Sequence, residues 1–471
     1  MADSYLTRTP NSAVTLGTKA TISFWVKRSG LDSGTSFYGI LSSNGGWNDG
    51  TGFAIGWRED MLIWYNLKDG SGYRTYPANL RKFRDTSAWY HIVYQIDTTQ
   101  ASLQDRVTLY VNGEDQGDMT TNAAGGISAA MPAQNATLYQ FFDNGDQHQI
   151  GRGGSAGSTY FDGYLSHFAY VDGSVVAPTS FGQTDSTSGE WKFKTPSGIT
   201  WGNNGFHLKF ENSGNLGLDS SGGGNNFTTN GSLKQSISTP TNTYTTLNNL
   251  SNAMAGDYTI GNTTVQSQNA SDTSAPAYAN YGVSKGKWYW EVKCAAVSQG
   301  TWTYANIGIT ALLRHSNAQT YNQLGAKAED FSYYAYNGNI MNNDTGNTGD
   351  AYGNSYTLND IIGVALDLDN NKLYFHKNGT YQNSGVPTSG STGTGAVSIT
   401  DPDDLGDGVY YPAVGDYHYV PRYTFQMNFG EGRFGTTAVS SAGSNSGDGI
   451  FEYDVPSGYY ALNTKNINTY G

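Results

Sequence analysis

The clearest alternation of apolar and polar positions lies between Gly286 and Gly379. In IIGVALDLDNNKLYFHKNG, Val364, Leu366 and Leu368 alternate with Ala365, Asp367 and Asp369, the two-residue period of a strand with one face buried and one face wet. Asn370 and Asn371 tolerate the positive φ of a tight turn, and Lys372 to His376 returns with Leu373 and Phe375 inward. Asn378 and Gly379 turn the chain again. Two hairpins are predicted from this segment, preceded by strands at GKWYWEVKC (Gly286 to Cys294) and IGIT (Ile307 to Thr310).

The first half reads the same way. In KATISFWVK, Thr21, Ser23 and Trp25 face one side and Ile22, Phe24 and Val26 the other, which predicts a strand. FAIGW (Phe53 to Trp57) and MLIWYNL (Met61 to Leu67) are strands separated by a turn at Arg58, Glu59 and Asp60. WYHIVYQID puts Tyr90, Ile92, Tyr94 and Ile96 on one face, and VTLYVNG groups Val107, Leu109 and Val111 before an Asn-Gly turn, so the two are expected as antiparallel neighbours. Strands are also expected at HQIGRGG (His148 to Gly154) and YFDGYLSHFAYVDG (Tyr160 to Gly173). Between the halves, Pro178 to Gly231 and Ser238 to Leu250 are rich in Gly, Asn, Ser and Thr and read as linker, although FHLKF (Phe206 to Phe210) alternates and predicts an embedded strand. The halves echo each other: LYVNGEDQG and LYFHKNGTYQNSG both present Leu-Tyr, a short gap, Asn-Gly and a later Gln before Gly, which points to duplication at the level of fold. The expectation is an all-β chain of two tandem antiparallel β-sandwiches, over residues 1–205 and 251–471, joined by a connector at 206–250.

Particular segments carry family resemblances. YWEV, the IGIT strand, GVALDLD answered by LYFHKNG, YYPAVGDY (Tyr410 to Tyr417) and FQMNFGEGRF (Phe425 to Phe434) resemble the SPRY domain, a bent β-sandwich that binds partners through loops and is not known as a catalyst. The first-half strands resemble a LamG-like, concanavalin A-like jelly roll. SYLTRTP, SFWVKRSG, APTSFG, GFHLKF, DSSGGGNNFT and PTNTY, in that order, resemble a module of tailed-bacteriophage structural proteins in which a LamG-like unit leads into a SPRY-like one. That resemblance implies a virion protein, displayed on the tail as a fibre or adhesion component or on the capsid as a decoration.

Composition narrows the chemistry. Only 14% of the 471 residues are charged, whereas 61 are Gly and 35 are Tyr, the profile of a turn-rich β protein whose polar surface comes from Ser, Thr, Asn, Gln and Tyr. A net charge of −13 sets aside unspecific binding to nucleic acid or anionic membrane, both of which need basic patches. No apolar run approaches the roughly 18 residues that span a bilayer. MADSYLTRTP lacks an apolar signal core, so a product made in the host cytoplasm and displayed on the particle surface is expected. The single cysteine, Cys294, shares a strand face with Trp290 and Val292 and reads as a small buried apolar side chain.

Catalytic patterns are sought and not found. No E-x-D-x-E strand supplies a glucanase acid pair, and Asp367 with Asp369, which share a face, read better as the polar end of a hairpin. No G-x-S-x-G elbow follows a strand and opens a helix, and no Gly-rich run sits between a strand and a helix as a phosphate cradle needs. The seven histidines are scattered, so no metal site and no cofactor is expected. The loop DPDDLGDG offers Asp401, Asp403, Asp404 and Asp407 as hard oxygen ligands suited to calcium, without EF-hand spacing, against the alternative of a solvated turn. What the chain does supply is aromatic residues in polar loops. Trp302, Tyr304, Tyr333, Tyr334, Tyr336, Tyr417 and Tyr419 are the expected glycan- or partner-binding residues, with Tyr410, Tyr411, Trp47, Trp57, Trp64 and Tyr65 similar in kind. The function expected is non-enzymatic binding of host surface polysaccharide or of other virion proteins by a trimer or higher homo-oligomer, without nucleic acid and without membrane insertion. Two other classes stay open: a polysaccharide-degrading enzyme, and a cellular scaffold binding peptides through its SPRY-like half.

Overall fold

The structure is a computed structural model. It describes residues 4–31, 36–43, 52–65, 67–68, 74–75, 80–119, 130–138, 142–154, 160–250, 254, 256–267, 276–297, 304–313, 323–346, 348–416, 423–432, 434 and 449–471. The chain folds as two compact units, Met1–Thr241 and Asn242–Gly471. Both are sandwiches of antiparallel sheets, as expected. Among the described residues the one α-helix is Thr464–Tyr470, and no helix is long and apolar enough to cross a membrane.

In the first unit, one six-stranded sheet runs in the order Thr228–Asn230, Tyr5–Arg8, His148–Ile150, Tyr38–Ser43, Ala54–Arg58, Met61–Tyr65. The other runs Glu114–Asp115, Val107–Val111, Tyr90–Asp97, Lys19–Arg28, Gly163–Asp172, Phe206–Leu208. The alternation read from the sequence places Ile22, Phe24, Val26, Ile92, Tyr94, Ile96, Val107, Leu109 and Val111 in the core between them. Arg58 pairs with Met61 across the expected turn, where Glu59 and Asp60 are left-handed at φ 50° and 63°. Asp60 is buried there between Arg28 (3.1 Å) and Arg84 (3.0 Å), with the Arg28 guanidinium over the Trp57 ring.

Of the passage read as linker, Pro178 to Gly231 is folded into this unit, and Asn242 to Leu250 belongs to the second. Phe206–Leu208 pairs with Phe168 to Tyr170, and Thr228–Asn230 pairs with Tyr5 to Thr7. Asp172, 1% exposed, accepts from the Thr15 amide and hydroxyl and the Asn204 amide at 2.8–3.0 Å, while Asp219 accepts from the His207, Ser221 and Asn225 amides. The hairpin of Gly182–Thr184 and Trp191–Phe193 lies over the outer face of the second sheet. Trp25 is therefore buried too, and the Lys19–Arg28 strand has almost no wet face. His91, below this cover, is stacked between Trp25 and Trp191, accepts from the Trp191 indole (2.9 Å) and meets the Ser23 hydroxyl at 2.8 Å.

In the second unit a nine-stranded sheet follows the path Gly256–Thr259, Thr264–Ser267, Tyr423–Asn428, Lys287–Val297, Ile361–Asp367, Lys372–Lys377, Thr380–Tyr381, with Val397–Ser398 and Tyr460–Ala461 off that path. It packs on a six-stranded sheet ordered Ala277–Tyr278, Tyr411–Asp416, Ala305–Thr310, Asp330–Tyr334, Asn339–Met341, Asp350–Ala351. Trp288, Trp290, Val292, Cys294, Val364, Leu366, Leu373 and Phe375 fill the core, and burial pushes the Cys294 thiol up to about 12. Both expected hairpins form. The echoed Asn-Gly pairs do the same work in each unit: Asn112 and Gly113 (φ 51° and 80°) and Asn378 and Gly379 (φ 48° and 83°) make the same left-handed turn. Each asparagine also bonds the adjacent strand twice, Asn112 to His91 and Asn378 to Ile361, once through its side chain and once through its amide.

The wet face expected for Ile361–Asp367 is a correction, because all seven residues are buried. The outer face carries Gly363, Ala365 and Asp367 and is covered by the C-terminal segment, with Phe451 edge-on to Tyr289 and the Tyr459 hydroxyl bonded to Pro387 O at 2.9 Å. Asp367 is wholly buried and accepts from Lys287 (2.9 Å) and from the Asn370 amide and side chain, while Asp369 accepts from the Gly286 amide. These carboxylates lock the hairpin. Glu291 pins the cover itself. Its carboxylate accepts from the Glu452 and Tyr453 amides (2.9 Å each), the Asn428 side chain (3.0 Å) and the Tyr289 hydroxyl (3.1 Å). His376 takes the Gly379 amide on Nδ1, so its proton sits on Nε2 and is donated to the Tyr289 oxygen at 2.7 Å. The unit is closed where it began: Thr464 N donates to Thr243 O, Thr243 N to the Thr464 hydroxyl, and Tyr244 bridges to Asn463, the cap of the final helix.

Two outcomes are expected. Burial outweighs the four donors and raises the Glu291 carboxyl to about 7, so the folded state holds a proton that the unfolded chain has released above about pH 4.3. Stability from this group is full below that pH and is lost as pH rises through about 7. Calorimetry across this range on Glu291→Gln shows a flatter decline for the second unit than the parent, with His376, shifted downward by burial, acting oppositely in both. Separately, a Cβ on Gly363 overlaps the hydrogen-bonded His376 ring, so Gly363→Ala lowers stability by about 1–3 kcal/mol in urea unfolding.

Candidate functional site

Of the seven expected binding residues, Trp302, Tyr417 and Tyr419 lie outside the described residues, as does Trp47. Tyr333 and Tyr334 are not loop residues, which corrects the expectation for both. They end the Asp330–Tyr334 strand and are 0% and 2% exposed. The Tyr333 ring packs among Tyr352, Tyr356 and Phe375 at centroid distances of 5.1–5.8 Å, and its hydroxyl is bonded to Asn354 O. A ring enclosed in this way has no free face to offer a ligand. Trp57 and Trp64 are core residues for the same reason, and Tyr410 is buried with its hydroxyl on Thr400 O.

Tyr304 and Tyr336 are brought together. They flank the paired strands Ala305–Thr310 and Asp330–Tyr334, and the register that sets Asn306 opposite Tyr334 carries both rings to the same end of the sandwich. The rings stack with centroids 5.9 Å apart and planes 19° apart, and Tyr334 tilts against Tyr336 at 6.1 Å. Tyr336 is 47% exposed and Tyr304 half-buried, so the pair forms a ledge at this end of the sandwich.

The support is stiff. The Tyr304 amide donates to the Tyr423 hydroxyl at 2.7 Å, and the Ala335 amide donates to Ala305 O at 2.9 Å. The Tyr356 hydroxyl is bonded to both Ala305 O and Tyr333 O, which ties the two strand ends together. Gly338, at φ 76°, turns the chain back immediately after Tyr336, its amide on Tyr334 O at 3.0 Å. Beneath Tyr423, its amide donates to the Ser267 hydroxyl, which in turn bonds Asp416. Burial raises the Asp416 carboxyl to about 7, so this side of the ledge rests on a group that is largely uncharged in mildly acidic solution.

Chemically, the ledge is a surface for stacking. An exposed tyrosine ring backed by a second ring suits the flat apolar face of a sugar, or an aromatic or proline side chain. The acidic loop is engaged internally: Asp401 caps the short 3-10 turn at Asp403 N and accepts from Asn371, and Asp407 accepts from the Leu313 amide. Among the described residues no three His, Cys, Asp or Glu side chains gather to hold a metal ion. Sequence reasoning missed the aromatic cover of the first unit, because Trp191, Phe193 and Trp201 sit in a passage whose Gly, Ser and Asn content read as linker.

Comparison with known proteins agrees with this architecture. A family model described as the SPRY domain matches residues 287–431, and one described as the concanavalin A-like lectin/glucanases superfamily matches residues 2–179. Among solved structures, the SPRY domain of human HERC1 is similar at 17% identity, over 38% of this chain and 89% of that one, with a TM-score of 0.25. The TRIM65 PSpry domain is similar at 14% identity, over 39% and 88%, with a TM-score of 0.28. No curated protein matches the chain. The first half of the chain thus carries a LamG-like, concanavalin A-like domain and the second half a SPRY domain.

Proposed function

We propose that this protein is a non-enzymatic binding scaffold of a tailed-phage particle, in which the Tyr304 and Tyr336 ledge stacks on sugar rings of host surface polysaccharide and other faces contact neighbouring virion proteins. The observation that carries the reading is the half-exposed Tyr336 ring, held against Tyr304 on two strand ends that are bonded to each other. A stacking residue binds well when its conformation is set before the ligand arrives. The two domain matches support a binding role, and the ordered segments from SYLTRTP to PTNTY support the particle as its setting. A single ledge binds weakly, so assembly as a trimer or higher, with many copies on one particle, supplies the avidity.

A cellular scaffold that binds peptides through its SPRY domain is the second reading, favoured by that domain match. The two part on location: density or antibody label for this chain on intact particles supports the first, and recovery of one cytoplasmic partner without particles supports the second. Purified protein incubated with capsule or cell-wall polysaccharide is expected to leave chain length unchanged, and shortened chains overturn the non-enzymatic reading.

Tyr336→Ala and Tyr304→Ala are each expected to weaken binding to host polysaccharide about tenfold, the scale of losing one well-packed aromatic contact. Equilibrium binding to purified polysaccharide measures this. Unchanged affinity in both variants, with unfolding midpoints near the parent's, removes the ledge from the site.

A further inference from the structure

Two histidines 40 residues apart in sequence meet on the outer face of the first unit's second sheet. His167 lies in the Gly163–Asp172 strand where its pairing with Lys19–Arg28 slips between Ser166 and Ala169, and its backbone is left-handed at φ 48°. A bulge of this kind re-aims a side chain, and a left-handed residue other than Gly or Asn is kept only where its surroundings hold it. His207 lies in the neighbouring Phe206–Leu208 strand, opposite Ala169, with its amide on Asp219. The result brings His167 Nδ1 to 3.3 Å from His207 Nε2.

The ring faces are taken up by neighbours. Phe193 stacks on His167 at 3.7 Å and Trp201 on His207 at 5.8 Å, so both ring planes are held by a neighbour. His207 is buried, whereas His167 is half-buried and keeps the pair in reach of solvent. Burial makes both rings weak bases, lowered to about 3 and about 4, so neither is an imidazolium at neutral pH. Of the charged groups near them, Lys209 acts on both rings and Asp219 and Glu211 act on His207, with Lys209 paired to Glu211 at 3.4 Å.

The spacing is informative. A tetrahedral cation with metal–nitrogen bonds of about 2.0–2.1 Å holds its ligand atoms about 3.3–3.4 Å apart, while a right-angled, square-planar arrangement needs about 2.9 Å. We propose that His167 Nδ1 and His207 Nε2 form a two-histidine site for a tetrahedral divalent cation of the Zn²⁺ type, with water completing the sphere. Without metal, one proton lies between the two nitrogens. On binding, the ring that holds it shifts to its other tautomer, both lone pairs turn to the metal, and no net proton is released. The cation then bridges the Phe206–Leu208 edge strand to its neighbour.

The test uses the full tag-free chain, Zn²⁺ alone in calorimetric titration, and Co²⁺ as a spectroscopic probe. One Zn²⁺ per chain, a visible Co²⁺ spectrum of tetrahedral type, and a zinc-dependent rise in the first unit's Tm are expected. His207→Gln removes one ligand, and His167→Asn removes the other while tolerating the left-handed backbone. At least a tenfold loss of affinity in each supports the site. Folding of both variants is checked by circular dichroism, and if His207→Gln does not fold, His167→Asn with the Co²⁺ spectrum decides. Absence of saturable binding up to millimolar zinc overturns the proposal, as does an affinity unchanged in the folded variants.

Discussion

A carboxylate or imidazole that has lost its water must be given hydrogen bonds by the protein, and in both units this requirement decides how the outer layer is held. The central strands are buried on both faces, so each polar residue on the outward side faces protein where a two-layer sandwich would give it solvent. Asp172 gathers the chain at Thr15 and Asn204, Asp219 gathers the turn from His207 to Asn225, and Glu291 gathers Asn428 with the Glu452 and Tyr453 amides. These acceptors act beside the aromatic contacts of Trp191, Phe193 and Phe451 in holding the covering segments down. Irregular chain is thereby turned into a third layer.

The β-sandwich architecture was legible because its signal is local. Alternation in Lys19 to Lys27, Tyr90 to Ile96 and Val364 to Leu368 needs only neighbouring residues, and the inward set it names is the observed core. The Asn-Gly echo was equally legible, and each asparagine turned out to bond an adjacent strand at a corresponding place. The outer cover was not. Gly363 and Ala365 look like the weak side of an amphipathic strand, yet Gly363 is small because the ring of His376, its cross-strand partner in the same sheet, lies over it. Local pattern cannot tell small beside water from small beside a ring.

The same limit applies to the candidate site. Tyr333, Tyr334 and Tyr336 are alike in sequence, but strand pairing encloses the first two and leaves only the third at the edge. Their hydroxyls made all three look fit for a polar loop, whereas the Tyr333 and Tyr356 hydroxyls serve backbone carbonyls inside the sandwich. Tyr304 and Tyr336 were named from the sequence; their stacking was not, since it depends on a register set by buried residues. The meeting of His167 and His207 needed two things no local pattern contains, a bulge in one strand and the pairing partner of an edge strand.

The closure of the second unit links its two ends. Its opening residues, Thr243 and Tyr244, are bonded to Asn463 and Thr464, so the contacts that surround this unit are shut at one seam. Fraying of either partner there releases the other, and because Asn463 also caps the final helix, seam and helix form and open as one cooperative piece.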